Sequence, residues 1–229
     1  MQSSTTMSRV IAAGVAALIA VPSYAQSLRT PVGVAQVGLE GGVSIANFTG
    51  DDANDAKNRT GGYGGVSFIV QPAGSAIGMQ TGVNYVMKGA KSSFSSGGAL
   101  PTVTGGVKLG YVEVPLLVRV GVPLSVAGVA PTLIAGGSFN WRVSCSAVAE
   151  SGSFSSSTDC DNALVGQDLD VKRFDAGLTV GVELPIKAGA RYLVVPSVRY
   201  IRGMTNITDA NGTDLKNSSI NIGIGLRVR

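Results

Sequence analysis

Eight stretches of this chain alternate apolar with small or polar residues, and that two-residue period constrains the fold more than anything else in it. The last stretch shows it best. Ile220, Ile222, Ile224, Leu226 and Val228 share one face, and Ser219, Asn221, Gly223, Gly225, Arg227 and Arg229 share the other. Successive strand side chains point to opposite faces, so a strict period of two marks a strand with one apolar face. The spacing predicts strands at about 35–48, 62–72, 77–89, 107–121, 130–145, 171–186, 190–204 and 217–229. Most exceed the ~9–11 residues that cross a bilayer at a tilt.

The gaps between them alternate in length. Residues 49–61, 90–106, 146–170 and 205–216 are long and rich in Ser, Gly, Asp, Asn and Thr, whereas 73–76, 122–129 and 187–189 are short. Outer-membrane barrels have short periplasmic turns and longer outer loops. From a periplasmic N-terminus, every long gap falls outside and every short one inside. The expected fold is all-β: an eight-stranded, antiparallel, up-and-down transmembrane β-barrel.

Composition agrees. Only 14% of the residues are charged, against an ordinary ~25%, and the mean hydropathy is positive. No segment after the N-terminus approaches the ~18 consecutive apolar residues of a spanning helix. Alternation dilutes lipid-facing residues in this way. At the N-terminus, Arg9, the apolar run Val10 to Val21, and Ser23-Tyr24-Ala25 before Gln26 form a secretion signal. The expected division is a cleaved signal peptide over 1–25 and a barrel domain over 26–229, with a retained N-terminal anchor as the alternative.

Charges within the strands fall almost wholly on the face opposite the apolar one, among glycines and serines. That face is too rich in glycine and too poor in lysine for a soluble exterior, but it suits a narrow lumen that side chains must fill. The expected lumenal charge network comprises Glu40, Lys88, Glu113, Arg119, Arg142, Arg173, Asp175, Glu183, Arg199 and Arg227, with some arginines near the rims. Ions removed from bulk water need such partners. Gly177, Gly181, Gly223 and Gly225 are expected to leave room for the larger residues facing them. Pro115, Pro185 and Pro196 lie in strands although proline cannot donate to a ladder, and Pro115 is mid-strand.

On the apolar face, Tyr85, Phe139, Trp141, Phe174 and Tyr200 fall near outer strand ends and Tyr192 near an inner one. They are candidate membrane-interface aromatics, with ordinary strand aromatics as the alternative. Cys145 and Cys160, the two cysteines, flank the 146–170 gap. In an exported chain the simplest reading is a disulfide closing that loop.

Five stretches carry a family likeness: Val37-Gly38-Leu39-Glu40-Gly41-Gly42; Tyr85-Val86-Met87-Lys88-Gly89; Tyr111-Val112-Glu113-Val114-Pro115-Leu116-Leu117; Asp175-Ala176-Gly177-Leu178 into Val180-Gly181-Val182-Glu183; and Arg199-Tyr200 followed by Gly203-Met204-Thr205-Asn206-Ile207. Together they resemble the PorT-like outer-membrane β-barrel family of Gram-negative bacteria, over about residues 35–229. The resemblance implies an integral outer-membrane protein and makes Pro115 a family feature. It implies no single activity; some members assist secretion. The chain departs from outer-membrane barrels generally in ending Leu226-Arg227-Val228-Arg229, without the usual terminal aromatic residue.

The chain has no histidine, the usual general base of Ser, Cys and lipase-type sites, and no catalytic, cofactor or metal site is expected. Glu113 and Glu183 read as partners of lumenal bases rather than as an acid–base pair. Asp51-Asp52-Ala53-Asn54-Asp55 and Asp159-Cys160-Asp161-Asn162 lack the spacing of a defined calcium loop and read as polar loop. No basic groove with interleaved aromatics is present, so nucleic acid is not an expected partner. Expected partners are outer-membrane lipid, the barrel assembly machinery during biogenesis, and a protein partner at the outer loops. The expected role is non-enzymatic, structural or interaction-bearing. A small diffusion channel, a secretion-assisting component and a soluble ligand-binding barrel are the alternatives.

Overall fold

The first long strand meets the last. In a computed structural model describing residues 29–30, 33–51, 56–94, 103–124, 129–151, 154–160, 172–207 and 214–228, the strands run in chain order. They are β1 (Arg29–Thr30), β2 (Gly33–Thr49), β3 (Arg59–Pro72), β4 (Ile77–Phe94), β5 (Val103–Gly121), β6 (Thr132–Ser151), β7 (Phe154–Asp159), β8 (Phe174–Glu183), β9 (Ile186–Ala188), β10 (Tyr192–Gly203) and β11 (Lys216–Val228). β11 pairs antiparallel with β2 from Lys216↔Thr49 to Val228↔Val37, and β2 pairs with β3. The ring of eight is β2, β3, β4, β5, β6, β8, β10 and β11. Closure pairs every ring strand on both sides, which removes the exposed edge of an open sheet. The expected signal peptide lies outside the described residues.

The period of two sets the faces. Val112, Val114, Leu116, Val118 and Val120 of β5 point outward, while Tyr111, Glu113, Pro115, Leu117 and Arg119 are buried inside. The exterior is an apolar band with Val37, Leu39, Val43, Met79, Val180, Ile222 and Ile224 exposed on it. At the end with short connections, Gly74 and Gly189 take positive φ (72° and 77°), the backbone region that glycine enters without penalty.

The prolines sit where the ladder is interrupted. The β4–β5 register runs from Ile77↔Val120 to Thr81↔Leu116 and resumes at Asn84↔Glu113. The skipped rungs are those around Pro115, which has no N–H to donate. β8 and β9 likewise keep one register on β10 and part at Leu184-Pro185, opposite Pro196. There the Leu184 N–H donates to the Pro196 carbonyl (2.9 Å). They act as one strand with a proline break.

Two expected loops contain strand among their described residues. β4 continues to Phe94 and β5 begins at Val103, so the β4–β5 ladder runs on through the described residues of the 90–106 gap. In the 146–170 gap, β6 runs on to Ser151 and β7 folds back along it. A register shift in the β5–β6 ladder at Gly110/Tyr111, where Val143 is the extra residue on β6, marks where this outer extension starts.

Inward glycines are what let the ring close. A Cβ on Gly42 would come within 2.1 Å of the Ile222 carbonyl oxygen. Outward Gly64 differs: its Cβ would meet nothing nearer than 3.5 Å. Gly42→Ala is therefore expected to destabilise the barrel by about 1–3 kcal/mol and Gly64→Ala to leave it unchanged. Urea unfolding in detergent, read by boil-dependent gel mobility, checks the contrast; equal midpoints for the two variants would contradict it.

Candidate functional site: the filled lumen and the outer hairpin

Glu183, fully buried at the C-terminal end of β8, is the hub of the lumen. Its Oε2 accepts from Arg119 Nη1 (2.5 Å). Its Oε1 accepts from Arg227 Nη2 (2.7 Å), Arg199 Nη2 (3.1 Å) and Gln80 Nε2 (3.3 Å). Arg119 also donates to Gln80 Oε1. Arg199 turns its other edge to Glu40 in a bidentate pair, Nη1 to Oε1 at 2.6 Å and Nη2 to Oε2 at 2.7 Å. Planar guanidinium groups favour such two-point contacts with carboxylates.

Asn84 extends this cluster by donating to Glu40 Oε1 (3.1 Å), and a second cluster lies nearer the outer end. There Lys88 Nζ lies 3.5 Å from Glu113 Oε2 and donates to Asn140 Oδ1 (2.9 Å). It also stands 5.3 Å from the centre of the Tyr111 ring, within cation–π range. Asp175 accepts from Asn217 (3.0 Å) and Thr205 (2.9 Å), and Asn217 reaches Tyr111 Oη as well (3.2 Å).

The neighbouring strands make room for these side chains. Arg227 stands opposite Gly38, where a Cβ would lie 2.6 Å from Arg227 Cγ. Arg199 stands opposite Gly181, Asn84 opposite Gly65, and Tyr63 Oη would meet a Cβ on Gly223 at 2.1 Å. Large and small residues thus alternate around a lumen that eight strands make only wide enough for side chains.

Above the second cluster, Leu109, Tyr111, Cys145 and Cys160 form a buried apolar layer, with Phe48 and Val107 packed against it. Cys145 and Cys160 are joined, with Cα atoms 5.5 Å apart. The β6–β7 ladder ends at Ser146↔Asp159, so the disulfide is its next rung and joins the hairpin to the top of the lumen.

Of the residues expected in the lumenal network, Glu40, Lys88, Glu113, Arg119, Asp175, Glu183, Arg199 and Arg227 are brought into these two clusters. Arg142 is half-buried at the β6 register shift. Arg173 is a correction. It is exposed at the outer rim just before β8, where its carbonyl accepts from the Arg142 N–H (2.7 Å). It continues the inward parity of β8 but lies past the strand's end, where parity no longer fixes direction. Sequence reasoning missed Gln80, Asn84, Asn140 and Asn217; their place on the inward face was the available signal.

The candidate interface aromatics Tyr85, Phe139, Trp141, Phe174, Tyr192 and Tyr200 are all exposed on the outside. Phe174 stacks with Phe139 (centroids 6.3 Å apart) and meets Trp141 edge-on (5.1 Å). The Ser218 hydroxyl donates to Tyr200 Oη (3.4 Å).

Residues 24–209 match the model of a family described as the outer membrane protein beta-barrel domain. The chain belongs to that family. It is an outer-membrane protein, and its apolar band is the lipid-facing surface. Solved structures like it include Ail of Yersinia pestis, with 12% identity, TM-score 0.41, and 84% of this chain and 97% of that one covered. Neisserial surface protein A is also 12% identical, with TM-score 0.41 and 84% and 96% coverage. Outer membrane protein W of E. coli is 17% identical, with TM-score 0.38 and 86% and 98% coverage. No curated protein matches the chain.

Two substitutions separate the lumen from the hairpin. Glu183→Gln leaves Arg119 and Arg227 without a carboxylate and Arg199 with Glu40 alone, and losing one partner of a buried ion cluster costs roughly 3–5 kcal/mol. Its urea midpoint in detergent is expected to fall sharply, and an unchanged midpoint would refute the hub role. Cys145→Ser is expected to leave the barrel's boil-dependent shift intact while making β7 susceptible to added protease, as judged by mapped cleavage within residues 154–160. Resistance equal to wild type would show that the disulfide is not what secures the hairpin.

Proposed function

We propose that this is a non-enzymatic, non-conducting outer-membrane barrel whose working part is the outer sheet of β4 to β7, presented to a protein partner. The observation that carries this reading is the stack of two ionic clusters under an apolar, disulfide-bridged layer. Such a lumen favours rigidity over passage. Binding tends to concentrate on segments held by a rigid scaffold, and the β6–β7 hairpin is covalently tied to one. The motif likeness around Glu113, Pro115 and Thr205 supports placing the chain with PorT-like members of its family. Delivery by the barrel assembly machinery is part of the same proposal.

Single-channel recording in planar bilayers tests it. Folded protein is expected to give no reproducible conductance steps. Regular steps from wild-type protein that vanish on boiling would overturn the non-conducting reading in favour of a small diffusion channel.

A further inference from the structure

The outward rows of β4 and β5 change character abruptly at one level. Val83, Tyr85 and Met87 on β4, and Leu116, Val114 and Val112 on β5, belong to the apolar band. The next outward positions toward the outer end are Gly89 and Lys91 on one strand and Gly110 and Lys108 on the other. Lys91 is paired with Gly106 and Lys108 with Gly89, so each ammonium stem faces a glycine and the two lysines are diagonal neighbours. Diagonal residues on one sheet face lie ~7–8 Å apart, close enough for both to reach one anion.

Tyr85 marks the boundary of the lipid band here. Its ring lies across Gly110, the next outward position of β5 toward the outer end, where a Cβ would come within 2.4 Å of its Oη. The hydroxyl thus reaches the outer margin of the band, over Gly110 and beside Ser144 of β6, as for an aromatic at the membrane–water boundary. Both lysines are exposed, and neither is in an ion pair with a carboxylate of the described residues. The nearest such strand carboxylate in register is Asp159, across Ser146 from Lys108, two strand spacings or about 9–10 Å away. Lys57 adds a third base beside Lys91 through a backbone bridge (2.7 and 3.0 Å). On the far side of the barrel a single exposed base, Arg202, stands opposite Ser218, the donor to Tyr200.

We propose that Lys91 and Lys108 clamp the phosphorylated headgroup of an outer-leaflet lipid, with the acyl chains on Val83, Met87 and Val112 below. Two like charges side by side on a sheet repel; a headgroup phosphate at this level neutralises both, while the apolar band holds its tails. A free anion gains only the first contact. The inference rests on the outer-membrane location and is independent of conductance and of the protein partner.

The test uses full-length folded protein in an uncharged detergent with bisphosphorylated lipid A as the probe, retention being read by native mass spectrometry. Wild type is expected to retain the lipid. K91Q/K108Q is expected to retain it roughly tenfold less, and K91R/K108R to behave as wild type. Equal retention by K91Q/K108Q, or equal retention of the dephosphorylated lipid, would overturn the proposal. So would displacement of the lipid by millimolar inorganic phosphate, which would assign a free-anion site. The boil-dependent shift certifies folding; should the double variant lose it, K91Q and K108Q singly carry the same comparison.

Discussion

The larger of the two ionic clusters inside this barrel depends on one carboxylate. Glu183 receives three guanidinium groups from β5, β10 and β11 in a space with almost no water contact. Burying that much like charge without a counter-ion would be prohibitive. With Glu40 holding the second edge of Arg199, the cluster ties together strands far apart in sequence. The outward apolar residues stabilise the fold only while their strands stay in register, and a one-residue slip would turn every side chain to the wrong face. The ionic cluster is a second, independent fixing of that register from inside.

Glycine is the complement of this cluster. Several large inward residues occupy volume that the adjacent strand leaves open, as Gly38 does for Arg227 and Gly181 for Arg199. In an ordinary strand a glycine is a weak point. Here its missing side chain is the space in which a guanidinium lies flat, so a glycine-rich strand and an arginine-rich lumen have a common cause.

The face of each residue was legible in the sequence because the period of two needs only local information. The partners were not. Gln80 and Glu183 are 103 positions apart, and their meeting depends on how far the sheet is sheared when it closes, which no single strand records. β7 escaped notice for another reason. Phe154-Ser155-Ser156-Ser157-Thr158-Asp159 has no apolar face, so the usual signal for a strand is missing where the sheet has left the lipid. Arg173 shows the converse limit, since alternation assigns a face only while the strand lasts. Pro115, puzzling as a sequence feature, becomes intelligible once the skipped rungs beside it are seen.

The placement of the disulfide has a mechanical consequence. A hairpin held by hydrogen bonds alone comes apart like a zip, one rung after another, when its free strand is pulled. Here a pull on the chain beyond residue 160 meets the covalent rung first. The load passes directly into β6 and from there into the closed ring, so the outer sheet can be tugged by whatever it holds without peeling off the wall that supports it.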